Sequence, residues 1–126
     1  MKLVDTSFLV DYAKGHDTAV SYLSTHDEEV GASTIVLSEV YRGLMVTQGM
    51  TREGAMSKYA WVTAVPFSNE IASEAASLYA ELRERGGMIN RSDIYIAATA
   101  RSLGVPLLTA DDDFDAVDNL TVETYR

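Results

Sequence analysis

The chain has 126 residues, enough for one domain with its own core and too few for two ordinary ones, so residues 1–126 are read as a single unit. Apolar residues supply 47% and charged residues 23%, which excludes a disordered or fibrous chain, and the absence of cysteine excludes disulfides, thiolate metal sites and a cysteine nucleophile. Ten basic against nineteen acidic side chains leave a net charge of -9, which opposes unaided binding to a polyanion, so any nucleic-acid chemistry requires a bridging cation.

In chain order, Leu3-Val4 is a short buried strand, and Asp5-Thr6-Ser7 supplies the small polar side chains of a strand-to-helix turn with an N-cap. A helix is predicted from Phe8 to Ala13 and a second from Asp17 to about Ser24, followed by a strand over Val30-Gly31-Ala32-Ser33. Thr34 is expected to cap a helix that carries Ile35, Leu37, Val40, Tyr41 and Leu44 as its apolar contacts, with Glu39 and Arg42 three positions apart on one side. Thr51 and Glu53 start another helix, running to about Trp61, and Val65-Pro66-Phe67 is a short extended piece. Ser68 or Asn69 caps the clearest helix, with Ile71, Ala75, Leu78, Tyr79 and Leu82 on one stripe and Gly86-Gly87 as its stop. Ser92 is expected to cap the next helix, which runs to Leu103 before Gly104. Val105-Pro106-Leu107-Leu108 is a buried strand, Asp111 to Asp115 an acidic loop, and Leu120-Thr121-Val122-Glu123 a final alternating strand.

Short strands alternating with helices imply right-handed crossovers and a mainly parallel sheet covered on both faces, an open three-layer α/β/α sandwich. In such sheets ligands bind beyond the carboxyl ends of the strands. Asp5 and Asp111 both occupy that position, Asp93 stands at a helix start, and Glu39 lies inside a helix. If these four acids converge, pairs of charges about 4 Å apart repel by on the order of 4 kcal/mol at an effective dielectric of 20, so the pocket needs a cation or bound protons. Oxygen-only ligands select hard ions such as Mg2+, with Mn2+ as a substitute. Such an ion polarises a phosphodiester and activates a water, with no histidine or lysine base required. Singly, each acid has a plainer role: Asp5 as an N-cap, Glu39 as the partner of Arg42, Asp93 as a first-turn acid complementing the helix dipole, Asp111 as a loop acid.

Four segments taken together carry a resemblance. Leu3-Val4-Asp5-Thr6-Ser7-Phe8-Leu9-Val10-Asp11, Ser38-Glu39-Val40-Tyr41-Arg42-Gly43, Ser92-Asp93-Ile94-Tyr95-Ile96-Ala97-Ala98-Thr99-Ala100 and Leu108-Thr109-Ala110-Asp111-Asp112-Asp113-Phe114 resemble the successive motifs of PIN-domain nucleases, and most nearly those of VapC toxins from toxin-antitoxin pairs. The likeness covers nearly the whole chain in order. It implies a PIN-like fold, an endoribonuclease requiring Mg2+ or Mn2+, an acidic pocket of Asp5, Glu39, Asp93 and Asp111 with Asp113 as a further acid, and a small antitoxin partner in a homodimer or toxin-antitoxin hetero-oligomer. Ser7 departs from the pattern, standing where asparagine is frequent, and Thr6 and Thr109 match small hydroxyl positions expected to support the acids from behind.

The competing readings are an RNA-processing PIN nuclease without antitoxin, a Mg2+-binding receiver-like module, and a dehalogenase-type phosphatase. A receiver needs adjacent acids after the first strand and a late lysine, whereas Asp5-Thr6-Ser7 holds one acid and no lysine follows Lys58; the phosphatase needs an acid where Ser7 stands. His16 and His26 are expected to be exposed. Met45, Met50, Met56 and Met88 are expected in irregular packing, in the core or facing a partner. Tyr41, Tyr59, Trp61 and Tyr95 suit either a partner surface or buried packing, and Arg42 suits RNA phosphate, the pocket acids or a Glu39 salt bridge. With no apolar run of roughly 20 residues, and with Met1-Lys2-Leu3-Val4-Asp5 meeting an acid too early for a signal peptide, a cytoplasmic location is expected.

Overall fold

A computed structural model describes all residues 1–126. Five parallel strands, β1 (Lys2–Val4), β2 (Val30–Ser33), β3 (Thr63–Val65), β4 (Leu107–Thr109) and β5 (Val122–Thr124), form one sheet in the order β3-β2-β1-β4-β5. Six helices connect them: α1 (Thr6–Ala13), α2 (Asp17–Thr25), α3 (Thr34–Gln48), α4 (Arg52–Lys58), α5 (Asn69–Arg85) and α6 (Arg91–Leu103). Connections run outward from β1 through β2 to β3, then return across β1 to β4, so right-handed crossovers place helices on both faces. The strand order reverses between β1 and β4, which pair in parallel with Leu3 opposite Leu107 and Val4 opposite Leu108. A crevice must open beyond the carboxyl ends of those two strands, because their following segments diverge to opposite sides.

The strands are short, and β1 and β4 are apolar throughout their inner residues, as expected where both faces are covered. Leu3, Val4, Leu107 and Leu108 are fully buried together with Phe8, Leu9, Leu78, Leu82 and Phe114. Fully burying one such side chain is worth about 1.5–3 kcal/mol, so this cluster is a major source of the fold's stability. Lys2 is the exception in β1: its buried ammonium is bracketed by Glu28 and by Glu123 of β5, with the Tyr22 hydroxyl as a third partner. Those partners hold its pKa above the ordinary lysine range, the hydrogen bond to Glu123 being the largest cause.

Several boundaries differ from the sequence reading, each for a local reason. Ser33, not Thr34, caps α3 by accepting from the Ile35 N–H at 3.1 Å, which frees the Thr34 hydroxyl to accept from Phe67 N–H at 3.2 Å. Ser68 caps α5 through Ile71 N–H. Asn90, without a side-chain bond, stands at the start of α6 where Ser92 was expected. Strand β3 ends at Val65, because Pro66 has no N–H to give a ladder; β4 likewise begins only after Pro106, whose carbonyl accepts from Leu3. Helix α4 stops at Lys58 rather than near Trp61. Gly86 and Gly104 end α5 and α6 with φ of 72° and 65°, the left-handed conformation that glycine adopts without a Cβ penalty.

Candidate active site

The site is assembled on three supports. Strand β1 delivers Asp5 to the head of α1, where its Oδ1 accepts from Phe8 N–H at 2.9 Å. Strand β4 delivers Thr109 and then Asp111, which caps a 3-10 turn over Asp112–Ala116 by accepting from Asp113 N–H at 2.9 Å. The first turn of α6 supplies Asp93. The turn is pinned from below by fully buried Phe114, so the acids above it do not rest on an unsupported loop.

Carboxylate oxygens of Asp93, Asp111 and Asp113 lie within 4.8 Å of one another. Asp5 sits beside this trio and is tied to it by one residue: the Thr109 hydroxyl donates to Asp5 Oδ2 at 2.5 Å and accepts from Asp111 N–H at 3.0 Å. Asp5 is therefore both a helix cap and a member of the acidic group, with a hydrogen bond to each oxygen. Glu39, half-buried on α3, approaches from the other side; its charge acts on Asp93, but it stands outside the trio. Asp113, added to the set only by resemblance, lies inside it.

These acids crowd without a protein counter-ion. Lys2, Arg85, Arg101 and Arg126 make the ion pairs of the chain, and none reaches Asp5, Glu39, Asp93, Asp111 or Asp113. Two carboxylates 4.8 Å apart repel by roughly 3–4 kcal/mol at an effective dielectric of 20. Burial, followed by the charges of Asp111, Asp5, Asp113 and Glu39, pushes the Asp93 carboxyl up to about 6. Asp5 is also raised, chiefly by burial; its bonds from Thr109 and Phe8 pull the other way, while Asp111 adds to the rise. A divalent cation fits this donor set: hard oxygen ligands, uncompensated negative charge, and three carboxylate oxygens within 4.8 Å of one another. The Thr6 hydroxyl beside Asp5 is the one buried side-chain oxygen without a hydrogen-bond partner.

Thr109 carries a direct prediction. Thr109→Val keeps the shape but strands a buried Asp5 oxygen and the Asp111 N–H, so the urea midpoint is expected to report a loss of about 1–3 kcal/mol, with Thr109→Ser close to wild type.

Other sequence-selected residues lie elsewhere. Arg42 is exposed, pairs with no acid, and lines a separate groove with Thr34, Tyr41 and Met45; the Glu39 salt bridge does not form. Tyr59 is buried and donates to the Leu9 carbonyl, whereas Trp61 is exposed against Tyr12. Met45 and Met50 pack against the core and Met56 and Met88 are exposed. His16 and His26 are exposed, the latter stacked on Tyr22. Ser7 is exposed. The sequence reading missed Arg85 and Arg101, which fasten the end of the Asp111 loop. Arg85 pairs with Asp118 and donates to the Ala116 carbonyl, and Arg101 donates to the Asp118 carbonyl at 3.2 Å. Lone arginines on two predicted helices gave no signal of a shared target.

A parallel sheet with acids gathered at its switch point is the arrangement of a nuclease of the PIN type, and the comparisons agree. The family model described as PIN domain matches residues 2–120, and the chain belongs to that family. Among its relatives are Ribonuclease VapC19 of Mycobacterium tuberculosis, 30% identical over 88% of this chain and 89% of the relative, and Ribonuclease VapC5 of the same organism, 26% identical over 98% and 93%. The structure of VapBC2 from Rickettsia felis bound to a promoter DNA fragment superposes with a TM-score of 0.82 at 25% identity, over 98% of this chain and 97% of the other. VapBC from Salmonella typhimurium shares the fold, with a TM-score of 0.84 at 17% identity over 99% and 98%. The resemblance read from the four sequence segments is thus borne out. No helix is long and apolar enough to cross a membrane.

Proposed function

We propose that this chain is a VapC-type toxin, an endoribonuclease whose Asp5, Glu39, Asp93, Asp111 and Asp113 work with Mg2+ or Mn2+, and which is restrained by a small cognate antitoxin. The observation that carries the metal dependence is the Asp93, Asp111 and Asp113 trio within 4.8 Å, beside buried Asp5 and free of any arginine or lysine. Asp93, Asp111 and Asp113 are the residues to hold the ion, with Asp5 behind them. When bound, the ion supplies charge neutralisation for an RNA phosphate and a water of lowered pKa.

The protein's own contribution is positional. Thr109 fixes the spacing of Asp5 and Asp111 through one hydroxyl, and Asp111 in turn orders the backbone that carries Asp113. Glu39, outside the trio on α3, would orient a water from that side of the pocket. Kept close and uncompensated, the acids repel RNA until a cation arrives, so the same charge that opposes binding makes activity conditional on metal.

The test is incubation of purified protein with single-stranded RNA in chelator, Mg2+ or Mn2+, in parallel with thermal unfolding. Cleavage only with the ions is expected. An ion at a hundred times its Kd should add about 2.7 kcal/mol of stability by mass action. Cleavage undiminished by chelator, or an ion effect equal in Asp93→Asn and wild type, would overturn the metal assignment. Growth arrest on induced expression, relieved by co-expression of a small cognate antitoxin, checks the toxin role.

A further inference from the structure

The acids deal with one phosphate, yet a strand of RNA brings several, and a chain of net charge -9 has few cations to meet them. Of its three lysines, Lys2 is buried in ion pairs with Glu28 and Glu123. The other two, Lys14 and Lys58, pair with no carboxylate, and both line a single cavity of about 360 Å³ between α1, α3 and α4. Thr6, which follows Asp5, and Glu39, whose charge reaches Asp93, also line it, so the cavity adjoins the acidic site without including Asp5, Asp93, Asp111 or Asp113 in its wall. Thr47 and Gln48 add polar groups to its wall, and Val10, Val40 and Leu44 an apolar floor.

Each lysine has a local explanation, since Lys58 stands in the last turn of α4 and Lys14 caps the end of α1, where a helix favours a cation. That does not account for both helix ends delivering their lysine to the same cleft. The cleft beside the acids carries both unpaired lysines of the chain, whereas Arg42, Arg52, Arg83 and Arg91, which also pair with no carboxylate, lie outside it. Ammonium groups on a flexible stem suit phosphates as point charges, without demanding one sequence. A channel with charge at its rim, hydroxyl and amide groups on its wall and an apolar floor matches an unpaired strand, whose backbone and bases need those three surfaces respectively.

We propose that the Lys14–Lys58 cleft is the path by which single-stranded RNA leaves the acidic site, each lysine contacting one phosphate flanking the scissile one. This rests on the nuclease reading above and adds the direction of the strand: from the carboxyl ends of β1 and β4, past Glu39, between α1 and α3 toward α4. The acids repel the backbone and the lysines attract it, so the strand is held away from the site except at the phosphate the metal neutralises.

The experiment measures binding of a fluorescein-labelled ten-nucleotide single-stranded RNA of mixed sequence, by anisotropy at several salt concentrations. The proteins are Asp93→Asn, in which the RNA is expected to survive, and the same variant with Lys14→Ala, Lys58→Ala or both. Each lysine change is expected to lower the slope of log K against log salt by about 0.7, the double change by about 1.4, with an overall affinity loss of roughly tenfold at low salt. Lys→Arg should restore the slope; Arg83→Ala, at an exposed position of α5, should leave it unchanged. In cleavage assays on otherwise wild-type protein, the double lysine variant should raise KM with little change in kcat. Unchanged slopes in the double variant, with wild-type cleavage intact, would overturn the cleft while leaving the nuclease reading standing. Absence of metal-dependent cleavage by wild type would instead fail that reading itself. Loss of antitoxin binding in the double variant with RNA slopes preserved would make the cleft a protein-docking groove and overturn the proposal.

Discussion

Asp93→Asn is expected to lower kcat for RNA cleavage by about 10²–10³-fold and, in the absence of metal, to make the protein more stable than wild type at pH 7.5. The two effects have one cause. Burial and the charges of Asp111, Asp5, Asp113 and Glu39 lift the Asp93 carboxyl to about 6, from an ordinary aspartate value near 4. The folded state therefore binds this proton more tightly than the unfolded state. Between pH about 4 and about 6 the native protein holds more protons than the unfolded chain, so stability falls as pH rises through that window. The full displacement corresponds to about 3 kcal/mol, which solvent screening at a half-buried carboxyl reduces to about 1–2 kcal/mol. Asparagine does not ionise and escapes that loss. A cation reverses the order, because it rewards the charged form that asparagine lacks, and it competes with the proton below pH 6. Urea unfolding of both proteins from pH 4 to 8, with chelator and with Mn2+, reads this directly. The curves should diverge above pH 4 in chelator and cross with Mn2+. Parallel curves would show that Asp93 does not carry the site's electrostatic strain, and cleavage by Asp93→Asn at the wild-type rate would remove it from the chemistry.

The same residue shows what the sequence makes readable. Asp93 was legible because helix α6 announces itself by periodicity and a buried stripe of Ile94, Ala97 and Ala98, and an acid in its first turn has a known place. Asp5 and Asp111 were legible because short apolar runs, Leu3-Val4 and Leu107-Leu108, end on them, and parallel sheets put such ends together. What spacing could not supply was distance. The four-acid expectation treated Glu39 as an equal of the others, whereas the structure groups Asp113 with Asp93 and Asp111, because the 3-10 turn folds Asp113 back under the Asp111 carboxylate. A turn of five residues has no period to detect. Caps failed in the same way: Ser33 and Thr34 are both good caps, and only the long-range bond from Phe67 decides between them. The family likeness was the stronger guide to membership of the site, residue order being retained where local propensity is ambiguous.

Long-range electrostatic ties were the least legible feature, and Arg101 is the one with the largest expected consequence. Its side chain is only 11% exposed, and its guanidinium serves three groups at once: Glu74 at 2.5 and 2.9 Å, Glu81 at 3.2 Å, and the Asp118 carbonyl at 3.2 Å. A surface pair of this kind is worth little; Arg101 itself is shielded, but Glu74 and Glu81 are 30% and 43% exposed and stay hydrated without it, so its loss costs the sum of several modest interactions rather than that of a buried pair. Arg101→Met is expected to cost about 1–2 kcal/mol, and for a domain of this size each kcal/mol lowers Tm by roughly 3–5 °C. Arg101→Lys keeps the charge but not the planar fork, and should recover less than half of that loss. Arg85→Met, whose side chain is 37% exposed against an exposed Asp118, should cost less than about 1 kcal/mol. The carbonyl matters for function as well, since Ala116 and Asp118 end the segment that begins with Asp111 and Asp113. Releasing that end should leave the acids present but less well held, so folded Arg101→Met protein is expected to bind Mn2+ several-fold more weakly, as read by its smaller stabilisation at a fixed ion concentration. An Arg101→Met protein that loses stability yet keeps the wild-type response to Mn2+ would show that Arg101 fastens α5 to α6 and nothing more.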